Sequence, residues 1–418
     1  MILNPDTLRR SVLILILSGF AHIATCADPS RPFPNHTLYA AGSILPNHRT
    51  QAQLDDDVRA FYDYWKKYVI AAGTTSDGRT MYRISFGSTN PERTVSEGQG
   101  FGMVIAPLMA GYDADAQTIF DGLYEFAMAH PSRIEPRLMA WEVPEIETDG
   151  IDSAFDGDAD IAYGLILADA QWGSAGSINY AAAANARIAG ILAATIGAQS
   201  RLPLLGDWVN GSGGKRYTQF TTRSSDFMLG HFRAYGRFTS DPVWTDVVNK
   251  TQQVIDAIRA TYSAKSGLLP DFIVKTDKKP KPAPGGFLEG PQDGSYYYNA
   301  GRDPWRIGTD ALINGDAVSK AEVLKMATFF KKVSGGDPTK IRAGYTLTGK
   351  PVRNSNFFTS FFVAPTGVAA MLDPGSQDYL NAVYDAVRNS REDYYEDSVT
   401  MLCLLVMSGN FWDPTANK

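Results

Sequence analysis

The sequence is short of the residues that most often announce chemistry. Cysteine occurs twice and histidine five times in 418 residues. With no H-x-x-x-H spacing and no His/Cys grouping, a zinc site is not expected. Cys403 sits inside the apolar run "MLCLLVM", where a thiol packs as a small hydrophobe rather than acting as a nucleophile. No "GxSxG" occurs, so nothing supports a serine hydrolase with a nucleophile elbow. Charge of one sign never gathers into long blocks: 39 basic and 45 acidic residues give a formal net charge of −6, the wrong footprint for nucleic acid. Alternating strand patterns are almost missing.

Long hydrophobic runs are scarce too, and the one at the start is too short to span a membrane. It follows Arg9 and Arg10 and ends in small residues, the three-part pattern of a secretory signal. Residues 1–27 are therefore expected to be a signal peptide cut after Ala27, which would also discard Cys26 and leave no disulfide. The mature protein is expected to be secreted, monomeric and free of any membrane partner. Asn35, Asn210 and Asn249 each begin an Asn-x-Ser/Thr triplet, which matters only in a eukaryotic source.

At 44% hydrophobic and 20% charged residues, the chain can bury a large core. Helical periodicity defines about twelve segments. The first carries Leu54, Val58, Phe61, Trp65 and Val69 on one face, with Thr50 and Gln53 as a capping box. The others lie near 97–111, 115–129, 157–172, 177–196, 224–238, 242–262, 303–314, 317–333, 357–371, 376–390 and 396–409. No composition break divides them, so 28–418 reads as one all-α domain, and about a dozen paired helices can close into a toroid. The loops around 73–95, 198–222 and 262–302 are long and rich in Gly, Pro and aromatics, where function usually sits.

Three stretches carry candidate chemistry. In "TVSEGQGFGM", Glu97 opens a helix beside Gly98, Gly100 and Gly102. A lone first-turn Glu usually serves free amides and the helix dipole, but the glycines imply that something must come close. In "DSAFDGDADIAYGLILADAQW", Asp152, Asp156, Asp158 and Asp160 crowd before an apolar run. An EF-hand fails there, because Ile161 replaces its turn glycine and Leu167 its closing glutamate. Some of these acids read as helix caps and at least one as an acceptor for a sugar hydroxyl. Aromatic residues Trp141, Trp208, Tyr296, Tyr297, Tyr298 and Trp305 stand in or beside the long loops, suited to stacking on sugar rings. The combination points to a polysaccharide cleft, for which two carboxylates and no cofactor suffice.

"SEGQGFGM", "DGDADIAYGLILADAQW" and "YYYNAGRDPWRIGTD", in that order, resemble glycoside hydrolase family 8. "AGSILPNHRTQAQLDDDVRAFYDYWKKYV", "PRLMAWEV", "GDWV" and "RSSDFM" extend the likeness to its chitosanase and lichenase branch and to nearly the whole mature chain. The resemblance implies an (α/α)6 barrel and hydrolysis of β-1,4-linked glucan or glucosamine chains with inversion. It makes Glu97 the general acid and Asp156 the aspartate that holds the sugar at the cleavage point, with Phe155 departing from the Ser or Thr usual before it. Asn299 stands where many members carry the basic Asp. In this branch the base is similar to a Glu on an inserted loop, which here is Glu289 in "GGFLEGPQDG". Trp141, Trp208, Tyr298, Asn299, Arg302 and Trp305 are the remaining candidate sugar contacts.

The inverting scheme requires Glu97 to stay protonated and Glu289 ionised, roughly 6.5–9.5 Å apart. The likeness to the chitosanase branch, together with the acidic net charge, puts chitosan first among substrates, with mixed-linkage β-glucan and cellulose as alternatives. A carbohydrate-binding protein that has lost catalysis is the reading from another class, motivated by Asn299 and Phe155.

Overall fold

The structure, a computed structural model, describes residues 27–144, 150–210 and 216–416. The apolar run of the expected signal peptide and the side chain of Asn210 fall outside them. Twelve α-helices are present among the described residues: α1 Gln51–Trp65, α2 Ser96–Leu108, α3 Ala116–Ala129, α4 Phe155–Trp172, α5 Tyr180–Ala194, α6 Leu229–Thr239, α7 Val243–Tyr262, α8 Asp303–Asn314, α9 Ala317–Ser334, α10 Ser360–Ala370, α11 Gln377–Val387 and α12 Tyr394–Met407. Each matches a segment expected from periodicity. The capping box of α1 is formed as read, with Thr50 and Gln53 each accepting the other's backbone amide. Val69, counted on the face of α1, instead begins a strand.

The helices form an (α/α)6 barrel. The even-numbered helices touch in the cycle α2, α4, α6, α8, α10, α12 and back to α2, and each is backed by the odd-numbered helix before or after it. Burial follows this division. Every residue of α10 is buried, as is every residue of α2 except Glu97. On the outer α1 only Leu54, Asp55, Val58, Phe61, Tyr62 and Trp65 are buried. A helix that is apolar all round needs neighbours on every side, which the inner ring supplies.

The closest inner crossing explains the glycines of the acidic motifs. A Cβ on Gly157 would fall 2.3 Å from Ser96 Oγ, and one on Gly100 would fall 2.8 Å from the Gly157 carbonyl oxygen. Side chains at Gly100 and Gly157 would push α2 and α4 apart, while Gly98 and Gly102 make room for the side chains of Tyr394, Ile84 and Leu123, so protein and not a ligand comes close to these glycines.

Two expectations need correction. The segment placed at 224–238 begins as a 3-10 turn, Ser224–Asp226, and α6 starts only at Leu229. Short strands also occur where no alternation was visible: β1 Val69–Thr74 pairs with β2 Thr80–Ile84, β3 Thr94–Val95 with β4 Glu142–Val143, and β6 Phe272–Val274 lies between β5 Thr221–Arg223 and β7 Lys281–Pro282. Strands of two to six residues are too short to display a period.

Candidate active site

A cleft of about 920 Å³ lies over the amino-terminal ends of inner helices. Its lining includes Ser96 and Glu97 of α2, Ala154 and Asp156 at the start of α4, and Tyr394, Tyr395 and Glu396 of α12. Tyr298 and Asn299, just before α8, complete that end, so several helix dipoles direct their positive ends toward the cleft floor. The long loops supply the walls: Phe86 and Arg93, Trp141 and Asp152, Leu205, Trp208 and Tyr217, and Leu288 with Glu289.

Glu97 is fixed by its helix and by one arginine. Arg302, 1% exposed, pairs through Nη1 with Glu97 and also donates to Asp156 Oδ2 at 2.9 Å. Its Nη2 donates to Ser225 Oγ at 2.8 Å and Asn299 Oδ1 at 3.0 Å. Arg223 reaches Asp156 Oδ2 from the other side at 3.3 Å. Burial drives the Glu97 carboxyl well above its ordinary range. Arg302 opposes that rise, and the negative charge of Asp156 adds to it. Burial acts on Asp156 too, but Arg223 and Arg302 outweigh it and hold this carboxyl below the usual range. One of two adjacent acids therefore keeps a proton near neutral pH while the other is an anion, the division that acid catalysis requires.

Glu289 lies on a loop whose side chain is half open to the cleft, at 48% exposure. Asn299 Nδ2 donates to Glu289 Oε2 at 2.7 Å, and Arg223 Nη2 stands 3.8 Å from Oε1. The amide at 299 has a physical reason. Its Nδ2 also lies 3.5 Å from Asp271 Oδ2, so a carboxylate there would be the third around one point. Asp271 is buried and accepts the amides of Tyr297 and Ala300 at 2.9 and 2.8 Å. Burial pushes it up to about 7 against the pull of those amides.

The chain matches the family described as glycosyl hydrolases family 8 over residues 43–409. A β-glucanase of Niallia circulans is 42% identical over 403 residues, covering 96% of this chain and 94% of its own. An endoglucanase of Bacillus sp. strain KSM-330 is 38% identical, covering 96% of this chain and 86% of its own. A solved apo structure of a β-1,3-1,4-glucanase from Paenibacillus sp. X4 superposes with a TM-score of 0.87 at 43% identity, over 92% of this chain and all of that one. The chain belongs to glycoside hydrolase family 8. It is a glycoside hydrolase.

Against the family pattern, the expected residues separate into three groups. Glu97, Asp156, Glu289, Asn299, Trp141, Trp208 and Tyr298 all line the cleft. Tyr298 stacks flat on Phe361, with ring centroids 5.4 Å apart, and Trp208 stands edge-on to Tyr217 at 5.2 Å. Arg302 lies beneath the floor, holding carboxylates rather than facing a sugar. Trp305 is a core residue, 2% exposed, packed edge-on to Phe101 and covered by the Arg306 guanidinium at 3.9 Å. Its place in a motif full of cleft residues concealed that it sits in the first turn of α8 with its ring turned into the core.

The aspartate cluster divides similarly. Asp158 pairs with Arg187 at 2.6 Å, and Asp160 with Arg306 and His231 at 2.9 and 2.8 Å, all buried away from the cleft. None caps α4, whose N-cap residue is Ala154. Phe155 is wholly buried against Phe232, so its departure from the family signature faces the core. Arg223, Ser225 and Asp271 are site residues that the sequence reading assigned no role. Asp271 in "LLPDFIV" carries no local signal at all.

Proposed function

We propose that this enzyme is an endo-acting β-glucanase that cleaves β-1,4 linkages of glucan with inversion, mixed-linkage β-glucan being its first substrate. Glu97 is the general acid and Glu289 the general base. The observation that carries the chemistry is the pair of unlike carboxyls on one cleft: a largely enclosed, proton-retaining Glu97, its side chain 16% exposed, and an open Glu289 that accepts a hydrogen bond from Asn299.

Glu97 gives its proton to the glycosidic oxygen as the bond to the anomeric carbon breaks. Water attacks that carbon from the opposite face, and Glu289 takes the water's proton. Arg302 and Asn299 stand between the two carboxyls in one hydrogen-bonded chain, which supports a separation with room for a water. Asp156, ionised at the floor, is the acceptor for a sugar hydroxyl, and Trp141, Trp208 and Tyr298 are stacking surfaces.

Glucan ranks ahead of chitosan for two reasons. The similar proteins of high coverage are named as glucanases. The cleft also sets Arg93 and Arg223 beside its acids, so the net charge of the whole chain does not describe the surface a cationic polymer would meet. Residues 1–27 are proposed to direct export, and residues 28–418 to form one catalytic domain acting as a monomer. No helix among the described residues is long and apolar enough to cross a membrane.

The test is release of reducing ends from mixed-linkage β-glucan, carboxymethyl cellulose and chitosan side by side. Preference for the mixed-linkage polymer is expected, and preference for chitosan would overturn the substrate assignment. Proton NMR of the first product should show the α-anomer; an initial β-anomer would overturn inversion.

A further inference from the structure

Glu289 has an unusual setting for a group that must be placed to within a fraction of an ångström. It belongs to no helix or strand, and its neighbours in sequence are glycines, prolines and an exposed leucine. The backbone around it is nevertheless pinned at one point. Asp293, 2% exposed, accepts the amides of Leu288 at 2.7 Å and Glu289 at 3.2 Å through Oδ2, and that of Gly290 at 2.9 Å through Oδ1. Three consecutive N–H groups thus converge on one carboxylate, in the manner of an anion nest closed by the chain itself. The carbonyl of Asp293 in turn accepts the amide of Phe272 at 2.9 Å, which fastens this point to β6.

The rest of the loop is tied to the same strand. Phe287 is buried with Phe272, Leu204, Leu205 and Ala283, and Tyr217 donates to its carbonyl at 2.8 Å. Asp271, directly before Phe272, binds the amides of Tyr297 and Ala300 on either side of Asn299. The backbone under Glu289 and the side chain that grips its carboxylate are therefore referred to adjacent residues at the start of one strand, Phe272 being its first residue and Asp271 the one before it.

We propose that Asp293 is a positioning residue for catalysis, acting only through Glu289 by fixing the backbone from which the base projects. The inference rests on Glu289 being the base. An error of about 1 Å in a reacting group can cost on the order of 10²-fold in rate, and the three bonds to Asp293 are what hold the backbone on either side of Glu289. Asp293→Ala should lower kcat on mixed-linkage β-glucan by about 10²-fold with KM within about threefold. Asp293→Asn, which can keep the Oδ2 bonds to Leu288 and Glu289 but not the one to Gly290, should fall between it and the wild type.

The decisive measurement is the double-mutant cycle with Glu289→Gln, with circular dichroism confirming that each variant is folded. Adding Asp293→Ala to Glu289→Gln should leave the residual turnover unchanged. A further loss as large as in the wild-type background would overturn the proposal, since a general structural role lowers both alike. Wild-type kcat in the folded single variants would also overturn it. If Glu289→Gln itself retains near wild-type turnover, the base assignment falls instead, and the proposal with it.

Discussion

The two carboxyls of the cleft are held by opposite means. Glu97 stands in the first turn of α2, a helix buried on all its other residues, and an arginine beneath it is shared with Asp156. Glu289 stands on a loop with nearly half its side chain exposed, its carboxylate accepting from Asn299 while its own backbone amide and those of its neighbours donate to Asp293. Burial suits an acid that must keep its proton, whereas exposure and a neutral donor suit a base that must stay ionised. Rigidity comes from the barrel for the first and from a local knot of bonds for the second.

The sharpest way to break this contrast is to remove each carboxyl in turn. Glu97→Gln should cost on the order of 10⁴-fold in kcat on a natural glucan, at the upper end for general acid–base loss, because a sugar alkoxide leaves poorly without a proton. Glu289→Gln should cost roughly 10²- to 10³-fold by the same reasoning, water retaining some reactivity of its own. On an aryl β-cellooligoside with a good leaving group, the Glu97 defect should shrink by about an order of magnitude or more, while the Glu289 defect should persist. Equal shrinkage in both variants would show that the roles are not divided as assigned.

A pH profile sharpens the comparison further. With Glu97 as the proposed acid, the active form carries its proton, so kcat should hold at lower pH and fall as pH rises through this raised pKa. Asp156→Asn removes a negative neighbour that helps keep the proton in place. Its alkaline limb should therefore lie at lower pH than that of the wild type, and a limb displaced upward would contradict this account. The smallest effect is expected on the wall: Trp208→Ala should raise KM about tenfold, the loss of about 1.4 kcal/mol from one aromatic contact, with kcat changed little. A kcat defect without a KM change would move Trp208 from binding to chemistry.

Much of this was legible before any fold was seen, and the misses share one cause. Glu97 and Glu289 were candidates because "SEGQGFGM" and the loop before "YYYNAGRDPWRIGTD" resemble the family's motifs, and both line one cleft. Asp156, Asp158 and Asp160 look alike in sequence, yet one faces the cleft while two are buried in ion pairs with Arg187 and Arg306. The partner that singles out Asp156 is Arg302, 146 residues away. No local pattern encodes such a pairing.

Apolar spacing alone was enough to place the twelve helices of the described residues, because periodic burial is written along each segment. Only the tertiary structure decided which acids meet which arginines, why an amide suits position 299, that Trp305 is core, and that Asp293 anchors the loop of Glu289. Those outcomes depend on closing a ring of helices and laying a three-stranded sheet beside it. Closure brings together groups whose separation in the chain leaves no trace in their immediate neighbours.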